Sequence, residues 1–149
     1  MIKNYTSTVP VDTSIQRIEA KLAAAGASGI MKLYGQDKKV TSLVFRFDLQ
    51  GRSFSFRIPA NSGACFDAMW KEHCLKHSRV RPETQQTIKE QAHRTAWKLV
   101  QDWVEIQISM IVLKQAEFLE VFLPYAWDGK QTYFEALKQN QYKALPPCA

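Results

Sequence analysis

Two alternating runs, VTSLVFRFDL and SFSFRI, are separated by Gln50, Gly51 and Arg52, and this junction constrains the fold more than any other stretch. A two-residue loop at Gln50 and Gly51 sets Leu49 opposite Arg52. It then pairs Asp48 with Ser53, Phe47 with Phe54, Arg46 with Ser55, Phe45 with Phe56, Val44 with Arg57 and Leu43 with Ile58. Every second pair is apolar on both strands. One face of the hairpin is therefore Phe47/Phe54, Phe45/Phe56 and Leu43/Ile58, and the other carries Asp48, Arg46, Arg57 and two serines. Helices are available to cover the apolar face, so its four phenylalanines are expected in the core instead of serving as an open platform for stacked bases.

The covering elements can be read on either side. Tyr5 to Val9 is a short β-prone piece, and IMKLY is a further strand ahead of the turn-rich GQDKK. Between them Ile15, Ile18 and Leu22 recur at helical spacing up to Gly26, with Thr13 and Gln16 forming a capping box or Asp12 capping alone. After the hairpin, Asn61 caps NSGACFDAMWKEHCLKH, whose Phe66, Met69, Trp70 and Cys74 make an apolar arc. Pro82 opens a long helix from about Glu83 to about Leu113. Ile88, Ala92, Ala96, Leu99, Trp103, Ile106 and Met110 form its first stripe, and Trp97, Val104, Ile108 and Ile111 a second one turned by about 120°. Such a helix is central, with one stripe for the chain's own core and the other for a later helix or a second subunit. Only the arc of Glu90, Arg94, Lys98, Gln101 and Glu105 looks solvated, with Arg94 and Glu90 spaced for an ion pair. Downstream, AEFLEVFLPYAW holds a short helix stopped before Pro124, and Thr132 with Glu135 boxes the start of TYFEALKQNQYKAL. The expected class is α+β: a small antiparallel sheet, the hairpin plus one or two strands, packed by helices around a long central one.

At 149 residues the chain fits a single domain that needs no metal or disulfide staple. No apolar run has the length of a membrane span, and MIKNYTSTVP lacks the apolar centre of a signal peptide, so a cytoplasmic protein with no membrane partner is expected. Cys65, Cys74 and Cys148 are odd in number and without framework spacing, which suits a reducing compartment. The formal charge of +6 is uneven. Residues 1–60 hold nine basic and four acidic groups, 61–100 seven and four, and 101–149 four and six. The positive field of the first two thirds favours an anionic partner, nucleic acid or an acidic protein surface.

Few constellations could carry chemistry. His73, Cys74 and His77 have a metal-compatible spacing, but neither Cys65 nor His93 completes a ligand set, so no metal is expected and Cys74 reads as a buried thiol beside two surface histidines. Ser62-Gly63-Ala64-Cys65 lacks the glycine two before the nucleophile and reads as a helix start. No phosphate loop or dinucleotide fingerprint occurs, and no Glu-x-Lys follows Asp48 as a nuclease would need. A non-enzymatic protein without cofactor is the reading that results. The basic set differs: Arg79 and Arg81 lie in KEHCLKHSRVR with Lys71 and Lys76, and Arg94 and Lys98 follow on the long helix. With Arg46 and Arg57 of the outer sheet face they could track a phosphate backbone.

Ala96-Trp97, Asp102-Trp103, Glu105-x-Gln107 and then Val121-Phe122-Leu123-Pro124-Tyr125 form a pattern that resembles a family of small proteins of tailed bacteriophages and prophages. The similarity extends to TSTVPVDTSIQRIEAKLAAAGA and to FRIPAN, and so covers most of the chain. It implies a phage-type accessory protein made in the bacterial cytoplasm and acting on nucleic acid, in DNA metabolism, or alternatively on a host or defence complex as an inhibitor. Asp102, Glu105 and Gln107 are the polar members of the pattern that a core does not require, and they mark a second candidate site.

Overall fold

The hairpin forms in the register that its alternation dictates. In the computed structural model, which describes all 149 residues, β2 (Val40–Leu49) and β3 (Arg52–Pro59) pair antiparallel from Leu49 with Arg52 to Ser42 with Pro59. The turn is left-handed at both central residues, Gln50 (φ 51°) and Gly51 (φ 78°), which matches the twist of the strands it joins. β1 (Gly29–Tyr34) pairs antiparallel with the other edge of β2 and completes a three-stranded sheet of order β1-β2-β3. The remaining elements are helical: α1 (Val11–Ala24), α2 (Ser62–Lys76), the long central α3 (Pro82–Val112), α4 (Phe118–Phe122) with a 3₁₀ turn at Leu123–Tyr125, and α5 (Tyr133–Gln139). The fold is α+β, and no helix is long and apolar enough to cross a membrane.

The chain packs as two compact units, residues 1–21 with 60–108, and residues 22–59 with 109–149. In the second unit the apolar hairpin face is the core. Phe45 and Phe56 stack at 5.4 Å between centroids, Phe122 of α4 meets Phe45 edge-on at 5.5 Å, and Phe118 lies 4.1 Å from Phe47. Phe45, Phe47, Phe56 and Phe122 are buried, while Phe118 and Phe54, the latter under the guanidinium of Arg52, are half-exposed. Gly26 (φ 112°) ends α1, where the Ala27 amide reaches back to the Leu22 carbonyl at 2.9 Å. Behind Pro124 the chain returns to β3, with Trp127 N–H donating to the Ser55 carbonyl at 2.8 Å, and the Thr132–Glu135 capping box starts α5 as expected.

The first unit departs from expectation in its amino-terminal segment and in α3. Tyr5 to Val9 forms no strand. Asn4 takes a left-handed conformation (φ 63°), and the carbonyls of Asn4 and Ser7 accept from Thr95 Oγ1 and Gln91 Nε2, both at 2.9 Å. Side chains of α3 thus satisfy backbone groups that a sheet would otherwise pair. α1 starts earlier than Thr13 or Asp12, because the Pro10 carbonyl already accepts the Ser14 amide at 3.1 Å. On α3 the inward face switches along the helix. The first stripe is buried at Ala92 and Ala96, yet its Leu99, Trp103 and Met110 are only half-buried and Ile106 is 52% exposed. The second stripe takes over with Trp97, Val104 and Ile108, all buried. Those three side chains are covered within the chain itself, while Ile111 at the end of the same stripe is half-buried.

Candidate nucleic-acid interface

The strongest surface is the turn joining α2 to α3. Asn61 caps α2, its side chain accepting from the Ala64 amide at 3.0 Å, and the helix ends at His77, which is extended (φ −131°, ψ 130°) and donates its amide to the His73 carbonyl. Pro82 then starts α3, its missing N–H being one that a first turn would leave unpaired. Ser62 Oγ lies 2.8 Å from His93 Nδ1, so α3 runs back antiparallel to α2 and the turn projects at one end of this pair. His77, Ser78, Arg79, Val80 and Arg81 are all exposed. No carboxylate pairs with Arg79 or Arg81, so both guanidinium groups keep their donors. Lys71 is likewise exposed, whereas Lys76 is spent on Glu72 at 2.8 Å. Their hydrogen bond lowers the Glu72 pKa and raises that of Lys76, as an ion pair should.

The other four expected cations differ in how far their donors are engaged. Arg94 donates to Gln91 Oε1 through two nitrogens, at 3.2 and 2.6 Å, in place of the ion pair expected with Glu90, whose carboxylate accepts from Gln86. Lys98 pairs with Asp102 one turn on, with both side chains only 20% exposed. These residues belong to the arc read as solvated, and the amino-terminal segment covers it: Asn4 Nδ2 donates to Asp102 at 2.8 Å, and Lys3 approaches the same carboxylate at 3.9 Å. Gln101, on that arc too, is 3% exposed. In the second unit Arg57 is half-buried between Ser42 Oγ (3.2 Å) and Glu135 (3.5 Å). Of these four, Arg46 alone is exposed and free of a carboxylate. No family model, curated protein or solved structure matches the chain.

The polar candidates do not converge. Asp102 is paired with Lys98 and accepts a hydrogen bond from the Asn4 side-chain amide. Burial opposes ionisation there, but those hydrogen bonds and the charges of Lys98 and Lys3 outweigh it and hold the carboxyl below its usual range. Glu105 accepts from Gln101 at 3.0 Å, and Gln107 lies about 140° around the helix from Asp102. No three His, Cys, Asp or Glu side chains gather to hold a metal. Cys74 is exposed and Cys65 is the buried thiol, its pKa pushed up by that burial. Ser62 meets a histidine 31 residues away, a partner that no local pattern singles out. Even so, no residue around it has the positive φ of a strained elbow, and the contact ties two helices together.

Sequence reasoning also missed a column of rings on α2. Phe66 stacks on Trp70 (5.8 Å, 16° between planes), Trp70 stacks on His73 (6.0 Å, 25°), and His73 meets His77 in a tilted contact (4.4 Å, 30°). The signal lies in spacings of four, three and four, which align on one helical face. Sorting Phe66 and Trp70 into an apolar arc and the two histidines into a metal pair hides that they form one series.

Proposed function

We propose that this chain is a non-enzymatic accessory protein of DNA metabolism that holds a phosphate backbone through the α2–α3 turn. The supporting observation is the pair Arg79 and Arg81, exposed, two residues apart and matched by no carboxylate. An arginine fork suits phosphate, and contacts of this kind are independent of sequence and sensitive to salt. The likeness of the Ala96 to Tyr125 pattern to tailed-phage proteins favours a phage setting and the bacterial cytoplasm as the place of action.

The test is the double substitution Arg79→Ala/Arg81→Ala. Folding is unchanged, nucleic-acid binding weakens alike across sequences, and the slope of log affinity against log salt falls by roughly 2. Absence of binding by the unaltered protein at low salt would overturn the reading. So would an unchanged slope in the variant. A second reading, an inhibitor that docks an acidic face of a host or defence protein, draws on Leu75, 79% exposed, and Val80, 37% exposed between the two arginines. Host-protein binding abolished by the same double substitution, with no nucleic-acid binding, would favour it.

A further inference from the structure

We infer that the α2–α3 turn selects unpaired nucleotides: a base of a single-stranded nucleic acid stacks on His77 while the phosphates beside it meet Arg79 and Arg81. This rests on the nucleic-acid reading above and narrows it. His77 is the last ring of the Phe66–Trp70–His73–His77 column and is exposed. His73 is the one ring in contact with it, so the column supports one face of the imidazole and leaves the other for a ligand. The three rings beneath are half-buried, which fixes the orientation of the fourth before any ligand arrives. Base-on-ring stacking requires no particular base, because every base has a π face.

Position links the ring to the charges. The chain leaves His77 in an extended conformation, and at about 3.5 Å per residue Arg79 and Arg81 lie within about 7 and 14 Å of it along the backbone. Their side chains therefore reach the phosphate of the stacked nucleotide and that of its neighbour. In a duplex the bases are already stacked and paired inside the helix, so such a site could use only the backbone there. The shared chemistry is an unpaired base with flanking phosphates, which DNA and RNA strands both offer.

Fluorescence anisotropy on the full chain tests this with three labelled probes: a short oligothymidylate, the matching oligouridylate and a duplex of the same length. The unaltered protein binds the single strands more tightly than the duplex, and the tighter of the two identifies the natural strand as DNA or RNA. His77→Ala, with its helical circular dichroism unchanged, weakens single-strand binding about 5- to 160-fold, the range of one lost base stack, and leaves duplex binding unaltered. His77→Phe restores it, because a ring without a titrating nitrogen stacks as well. Equal affinity for strands and duplex overturns the inference while leaving backbone contact standing, as does a His77→Ala variant that binds strands normally or a His77→Phe variant that fails to recover. No binding of any probe overturns both readings.

Discussion

Truncating Trp97 to alanine is the sharpest test of how α3 packs. Trp97 is fully buried, in the stripe that periodicity alone leaves for a later helix or a second subunit. A tryptophan that leaves water entirely buries about 150–250 Å², or roughly 4–6 kcal/mol of gross transfer free energy. Alanine keeps a small part of that, and the cavity left behind adds a cost, so Trp97→Ala should destabilise by about 3–5 kcal/mol. With an m-value of about 2 kcal/mol/M, the urea midpoint falls by roughly 2 M. Trp103 is half-exposed on the other stripe, and Trp103→Ala should cost only about 1–2 kcal/mol. Equilibrium unfolding followed by far-UV circular dichroism, at two protein concentrations, reads both values. A costlier Trp103→Ala, or a Trp97→Ala loss below about 1 kcal/mol, would refute this packing of α3. A midpoint for the unaltered chain that rises with concentration would show that a second copy, and not the chain itself, supplies the burial.

Two further expectations concern charge and backbone. Asp102, whose pKa in the folded chain is depressed, contributes stability that is present above about pH 4 and is lost as pH falls through the folded value. Asp102→Asn should therefore be less stable than the unaltered chain at neutral pH, with the gap closing in acid; urea melts across pH would contradict this if the gap stayed constant. Gly51 holds φ 78°, and a Cβ at that position would meet nothing within 4 Å, so Gly51→Ala should cost about 1–2 kcal/mol through backbone strain alone. A thermal melt showing no loss would mean that the turn relaxes to another geometry.

Local grammar carried much of the fold. The β2–β3 register followed from two-residue alternation and a loop that tolerates left-handed backbone, and every expected pair from Leu49/Arg52 to Leu43/Ile58 is present. The Asn61 cap, the Thr132–Glu135 box and the Pro82 start are equally local. What could not be read was set by partners far away in sequence. Periodicity finds two apolar stripes on α3 but does not say which of them turns inward at a given height. Arg94 and Lys98 sit where a solvated arc belongs, and only the placement of residues 3–7 along α3 shows that this arc is covered. For the candidate interface the sequence offered six cations, and the structure separates Arg79, Arg81 and Arg46, which keep their donors, from Arg57, Arg94 and Lys98, which spend them internally.

The hydrogen bond from Asn4 to Asp102 spans 98 positions of chain, and that span orders events during synthesis. At about 5–20 residues per second a ribosome needs roughly 5–20 s to travel from the codon of Asn4 to that of Asp102. Hairpins close in microseconds, so β2 and β3 can pair long before then. The segment around Asn4 must wait for most of the later message before the side chains that fasten it exist, and until then the Ser7 carbonyl lacks Gln91 and the Asn4 carbonyl has only the nearby Ser7 amide. Slow codons between these positions would lengthen that wait without altering a single residue.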